Sequence, residues 1–157
     1  MLLMGIDPGL RYTGWGVVDF SNNQFTHIAN GTLKISEKGT LPERLSEIYT
    51  KLTEVLKKYQ PEEVAVEEVF VNVNPSSTLK LGQARGVAIL TPSLLGISVF
   101  EYSPNLIKKS VVGVGHATKE QIQMMVGILL NKPKIDSEHS GDALAMAICH
   151  AHNRKKW

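Results

Sequence analysis

Alternation and periodicity divide the chain into strands first and helices later. "LLMGID" is an apolar run that predicts a buried strand, and "GWGVVDF" and "QFTHIANGTL" predict two more, joined at Ser21-Asn22-Asn23 by a hairpin-like turn. From Thr40 the period changes. Thr40-Leu-Pro-Glu43 has the form of a capping box with proline near the helix start. Apolar residues then recur at Leu45, Ile48, Leu52, Val55, Leu56 and Tyr59, one stripe of an amphipathic helix. Pro61 closes that helix and "EVAVE" predicts a fourth strand. Asn74-Pro75 opens a helix to about Leu90, and "ISVFEY" predicts a fifth strand. Ser103-Pro104 starts a short helix. Thr118-Lys-Glu-Gln121 is a second capping box, for a helix ending at Leu130, and Asp136 or Ser137 caps a last helix. Three strands, then alternating helix and strand, then helices predict an α/β fold with a five-stranded mixed sheet flanked by helices.

Composition narrows the class. The 157 residues, 43% of them hydrophobic, suffice for one domain with its own core, taken as 1–157. No apolar run approaches membrane-spanning length, and the opening MLLMGIDPGLR lacks the charged lead and long apolar segment of a signal peptide. Cys149 is the single cysteine, so no internal disulfide forms and a cytoplasmic, reducing compartment is expected. The net charge of +2 is unevenly spread. Residues 1–68 carry seven basic and ten acidic side chains, whereas residues 69–135 carry seven basic and two acidic ones. A basic middle segment beside an acidic one suits a polyanionic partner, although a solvated face has the same look.

The acids themselves point to chemistry. Side chains alternate along a strand, so Gly5 and Asp7 share one face of the first strand, and Ala65 and Glu67 share one face of the fourth. If these strands are neighbours, Asp7 and Glu67 converge at the carboxyl ends, where open α/β sheets keep their sites. Either acid alone reads as a strand end in water. The last helix adds to them. "HSGDALAMAICHA" is nearly apolar all round from Ala143 to Cys149, which predicts burial. His139 and Asp142 are three residues apart and share a face with Met146 and Cys149. Separately, Asp142 suits a helix's first turns and His139 a satisfied structural histidine. Together with Asp7 and Glu67 they would place three acids and an imidazole in one crevice. Such a set is tolerable when divalent metal neutralises it, and its oxygen-rich character suits Mg²⁺ or Mn²⁺. Two such ions make a site for in-line phosphodiester hydrolysis.

Five segments, "GIDPGLRYTGWGVV", "AVEEVF", "LKLGQARGVAIL", "VVGVGHATKEQI" and "GDALAMAI", resemble in order the RuvC family of Holliday-junction endonucleases over nearly the whole chain. One motif alone is weak, because a G-I-D-x-G strand also opens actin-like ATPases. The resemblance implies a ribonuclease H-like fold, a homodimer and divalent metal, with two Mg²⁺ per site and Mn²⁺ as a substitute. It implies paired symmetric nicks across four-way junction DNA in recombination and repair, and RuvA/RuvB as branch-migration partners. It places the acidic catalytic set on Asp7, Glu67 and Asp142 and a fourth position on His139. Many relatives carry an acid at that fourth position, so the histidine bears on metal preference. Glu68 stays outside the set.

By the same resemblance Phe70 stacks on a base displaced near the junction centre, as aromatics do on unpaired bases. The alternative is core packing under the loop that follows it. Lys108 and Lys119 fall near the scissile phosphate, as catalytic and DNA-binding residues that stabilise charge on its oxygens. Arg11, Lys80 and Arg85 are further candidates for backbone phosphate. Gly9, Gly14 and Gly16 read as tight-turn positions. Gly82 and Gly86 read either as a dimer contact or as close packing on the chain's own sheet. His27, His116, His150 and His152 join no constellation. Three other functions compete. A ribonuclease H-like nuclease acting on RNA is opposed by the "KLGQARG" helix and the lysine pair. An actin-like kinase or ATPase needs two lobes, for which 157 residues leave no room. A catalytically weak junction-binding module has its foothold in His139 alone.

Overall fold

The apolar runs near the start form three antiparallel strands, β1 (Leu2–Asp7), β2 (Tyr12–Ser21) and β3 (Gln24–Lys34). The computed structural model describes residues 1–68 and 74–154. Asn22 and Asn23 make the β2–β3 turn with φ of 53° and 59°. A two-residue type I′ turn requires that left-handed pair, and asparagine tolerates it. Helix α1 (Leu41–Tyr59) then carries the chain over the sheet, so that β4 (Glu63–Glu67) lies parallel to β1. Helix α2 (Pro75–Leu94) does the same for β5 (Ser98–Tyr102), parallel to β4. The sheet order is β3-β2-β1-β4-β5, the mixed five-stranded arrangement expected from the pattern. Three helices complete the chain: α3 (Pro104–Val112), α4 (Lys119–Leu129) and α5 (Glu138–Asn153).

Each face of the sheet buries its own core. Met4, Ile6, Val64 and Val66 pack with Leu52 and Leu56 of α1 and Ala88 of α2. Leu3 and Ala65, on the opposite face, pack with Ile107, Val126 and the long buried run of α5. Caps fall where the sequence predicts them, but the reciprocal box expected at α1 is only half formed. Thr118 with Gln121 and Ser137 with Ser140 make reciprocal boxes at α4 and α5, while at α1 the Thr40 hydroxyl accepts from the Glu43 N–H. Helix α2 runs four residues past the expected Leu90 and takes Pro92 into its last turn. There Thr91 Oγ1 donates to the Val87 carbonyl at 2.7 Å.

The tightest contact lies between α5 and the middle of the sheet. Gly5 pairs with Gly16, and Asp7 with Gly14. A Cβ at Gly5 would overlap the Ala143 carbonyl, one at Gly14 the His139 backbone, and one at Gly16 the Leu144 side chain. Gly14 and Gly16 therefore serve helix-on-sheet approach rather than the tight turns expected of them. Only Gly9 matches that expectation, where the Thr13 hydroxyl donates to the Gly9 carbonyl at 2.9 Å to close the β1–β2 turn.

The far end of α5 is pinned by polar groups. His150 is fully buried, with Nδ1 2.6 Å from the Tyr102 hydroxyl and Nε2 2.6 Å from Glu63. Arg154 closes a fork on Glu63 at 2.8 and 3.0 Å, and that hydrogen bonding holds the Glu63 carboxyl below its usual range. Burial holds the imidazole pKa down. A neutral ring then accepts from Tyr102 and donates to Glu63, so both of its nitrogens are satisfied. Sequence reasoning assigned His150 no role, because Tyr102 and Glu63 lie 48 and 87 residues from it in the chain.

Gly5→Ala or Gly16→Ala should cost at least about 1–3 kcal/mol of folding stability by forcing α5 off the sheet. Gly127→Ala, which meets open space within α4, should instead gain up to about 1 kcal/mol. Urea unfolding of the three variants checks the contrast. Similar effects at all three would show that α5 does not sit this close to the sheet.

Candidate active site

Strand register brings the first two acids together. Ile6 lies opposite Val66 in the parallel β1–β4 pair, so Asp7 and Glu67 follow at the same carboxyl end. Both point to the face covered by α5, as the close approach of Ala143 to Gly5 shows. Because α5 rests with its first turns over Gly14, it delivers His139 and Asp142 to that end of the sheet. His139 Nδ1 lies 3.2 Å from Asp7 Oδ2. The Tyr12 ring stacks on the imidazole, with centroids 5.5 Å apart and planes 21° from parallel.

Asp142 is held from α4. Gln123 Nε2 donates to Asp142 Oδ1 at 3.0 Å, and Lys119 Nζ lies 3.5 Å from Oδ2 while also pairing with Glu138. Beside these groups opens a cleft of about 280 Å³, lined by Glu67, Lys108, Lys119 and Asp142 over an apolar floor that includes Ile107 and Met146. The six residues expected to carry catalysis, Asp7, Glu67, His139, Asp142, Lys108 and Lys119, thus gather around one end of the sheet.

The carboxylates disturb one another. Burial, reinforced by the charge of Asp142, pushes Asp7 up to about 6, against the pull of His139 and Lys119. Burial likewise lifts Glu67, with Asp7 and Asp142 adding and Lys108 and Lys119 opposing. Asp142 is raised by burial in spite of Lys119. Among the described residues no three His, Cys, Asp or Glu side chains are grouped closely enough to hold an ion as they stand. Asp7 is turned to His139, and Asp142 to Gln123 and Lys119. The donor chemistry nevertheless fits a hard divalent cation: three partly desolvated carboxylates that repel one another, with one imidazole, is a set that such a charge relieves.

The expected DNA contacts separate into groups. Lys108 and Lys119 border the cleft. Arg11 is exposed and pairs with Glu37, beside a hollow of about 720 Å³ that Lys34, Lys38 and Lys51 also line. Lys80 is exposed on α2 and lines a second hollow with Arg11 and Arg44. Arg85, expected at the DNA surface, is instead turned inward. Its Nε donates to the main-chain carbonyl of Glu67 at 2.8 Å, and its guanidinium pairs with Glu101. It steadies the strand end that carries Glu67. Phe70 lies outside the described residues. Glu68 is half-buried, with its N–H on the Tyr102 carbonyl, apart from the acidic set. Sequence reasoning missed Gln123, Tyr12 and the inward role of Arg85. For Gln123 a signal existed, since it stands four residues after Lys119 on one helix face.

The repulsion has a measurable effect in the metal-free chain. The folded state holds the Asp7 proton more tightly than the unfolded chain does. The resulting penalty is therefore absent below about 3.8, grows up to about 6 and is complete above it. Asp7→Asn should raise the metal-free melting temperature at neutral pH by the equivalent of up to about 3 kcal/mol. The gain should fade as the pH falls to about 4. A gain independent of pH would mean that something other than ionisation is relieved.

Comparison with known proteins agrees with this geometry. The family described as crossover junction endodeoxyribonuclease RuvC matches residues 3–150. A protein of that name from Azorhizobium caulinodans is 54% identical over 152 residues, which is 97% of this chain and 90% of the relative. One from Bartonella henselae is 53% identical with the same coverage. Among solved structures, Thermus thermophilus RuvC superposes with a TM-score of 0.87 at 34% identity, covering 96% of this chain and 93% of that one. Its complex with a Holliday junction substrate gives 0.88. The five-stranded sheet, the acid-bearing ends of β1 and β4 and the buried α5 thus sit in a ribonuclease H-like framework, and the chain belongs to the RuvC family of crossover junction endodeoxyribonucleases.

Proposed function

We propose that this protein is a metal-dependent endonuclease that resolves four-way DNA junctions by paired symmetric nicks. The observation that carries the reading is the meeting of Asp7, Glu67 and Asp142 at one sheet end, each with its pKa raised. Family membership and the Holliday junction substrate bound by the T. thermophilus relative point to the DNA class. Asp7, Glu67, His139 and Asp142 would hold divalent metal, Mg²⁺ with Mn²⁺ as a substitute. When bound, such ions neutralise the phosphodiester and supply a more acidic water.

The chain's own residues do the rest. Lys119 keeps its proton, because its hydrogen bond to Glu138 raises its pKa, so its positive charge persists beside Asp142. With Lys108 it brackets the cleft where a phosphate would sit, placed to oppose charge developing on the phosphate oxygens. His139 is aligned by the Tyr12 stack and by Asp7. Arg11 and Lys80 would meet backbone phosphate, and Phe70 an unpaired base. A junction-binding module without catalysis would have no use for three carboxylates whose pKa values burial raises at one sheet end.

A symmetric pair of cuts requires two sites, and α2 suits an isologous contact. Gly82 and Gly86 face open space rather than the chain's own sheet, and Leu79, Leu90 and Leu94 are exposed beside them, at 66%, 53% and 61%. This stripe is the proposed homodimer surface. The reading extends to a RuvA/RuvB-type branch-migration partner and a cytoplasmic location. No helix among the described residues is long and apolar enough to cross a membrane.

Labelled four-way junctions and linear duplex, incubated with the protein with and without Mg²⁺, test the reading. Asp7→Asn, Glu67→Gln and Asp142→Asn should each lower junction cutting by more than about a hundredfold. Junction binding should survive in gel shifts and weaken steeply with salt. A variant that cuts at the wild-type rate would leave the site one ligand smaller. Leu90→Glu should yield a monomer in sedimentation and convert paired nicks into uncoupled single nicks. A persistent dimer would place the interface elsewhere.

A further inference from the structure

We propose that Gln123 is a positioning residue for Asp142: its amide occupies one carboxylate oxygen permanently, so that the other is the one presented to a divalent cation. The inference rests on the metal-site reading above and adds a residue to it. Lys119 and Gln123 stand one turn apart on α4 and reach the two oxygens of the same carboxylate separately, Gln123 to Oδ1 at 3.0 Å and Lys119 toward Oδ2 at 3.5 Å. The two partners differ in kind. An ammonium is repelled by an arriving cation, and Lys119 already has a second anion, Glu138, to keep it. A neutral amide has no such conflict and retains its bond. Lys119 is therefore the exchangeable partner and Gln123 the fixed one, which leaves Oδ2 free for the ion. Since an ionised carboxylate only accepts, the amide orientation follows as well, with Nε2 toward Asp142.

A second observation shows that this place is built for the amide. Gly141 precedes Asp142 on α5, and a Cβ there would collide with the Gln123 amide, Oε1 being the nearest atom and Cδ and Nε2 both lying 2.9 Å from it. Any larger residue at 141 would push the amide away from the helix. Ile122 and Val126, buried on either side of Gln123, fix the register of α4 against α5. The hydrogen bond, the missing side chain and the anchored register converge on one atom of one ligand.

The test is Mn²⁺ binding to the full chain without DNA, followed by the electron paramagnetic resonance of the free ion. Gln123→Met keeps length and volume but removes the donor. It should weaken Mn²⁺ binding about 10–100-fold, as loss of a ligand's orienting partner does, and leave the metal-free melting temperature close to wild type. Gly141→Ala should weaken binding in the same direction by displacing the amide. In junction cutting, the Mn²⁺ concentration for half-maximal rate should rise by a similar factor, and saturating Mn²⁺ should restore most of the rate. Wild-type Mn²⁺ affinity in Gln123→Met would overturn the proposal, as would a lowered melting temperature with unchanged affinity. A wild-type chain that binds Mn²⁺ in a Gln123-dependent way yet cuts no junction would uphold the positioning role and remove the nuclease reading. No Mn²⁺ binding by the wild type would overturn both.

Discussion

The closeness of α5 to the sheet is the constraint on which the rest of the molecule depends. Helix and strand backbones meet where Gly5, Gly14 and Gly16 leave no side chain between them. Without that approach, His139 and Asp142 would stand too far from Asp7 to share its electrostatics. The helix is apolar from Ala143 to Cys149, with alanine at 143, 145 and 147, and those small side chains let it settle against the sheet. The cost is a set of acids drawn into a partly dry space. The protein meets that cost locally, with His139 on Asp7, Gln123 and Lys119 on Asp142, and Lys108 near Glu67.

Much of this was legible in the chain, and the reason is local chemistry. Each helix start announced itself through a cap, and β1 and β4 through apolar runs ending on acids. The pairing of Asp7 with Glu67 followed once β1 and β4 were neighbours, because alternation fixes the face. What escaped was set by tertiary contact. Gly14 and Gly16 carry the same letters whether they turn a chain or receive a helix, and only α5 decides between the two. Arg85 looked like a surface cation on an exposed helix, but α2 is oriented so that this position faces the end of β4. His150 and its partners lie 48 and 87 residues apart in the chain, beyond any periodic pattern.

Two ends of α5 are held by opposite means. At its start, polar side chains face a site whose charges are incompletely balanced. At its end, Tyr102, His150, Glu63 and Arg154 form a closed set in which each polar group has its partner. A fully satisfied buried network rigidifies, whereas an incompletely satisfied one stores the capacity to bind. The helix is thus anchored where nothing needs to change and left reactive where a ligand must enter.

Helix α2 faces both ways. Its outer side carries Gly82 and Gly86 and is proposed to meet a second copy. From its inner side Arg85 grips the carbonyl of Glu67 and the side chain of Glu101. A helix is only about 10–12 Å across with its side chains. On that arrangement, little material separates the contact between copies from the strand end that does the chemistry. Lineages of such a protein are then not free to redesign their assembly and their catalysis separately. A substitution that re-tilts one copy against the other is felt at Glu67, and selection must screen the two properties together.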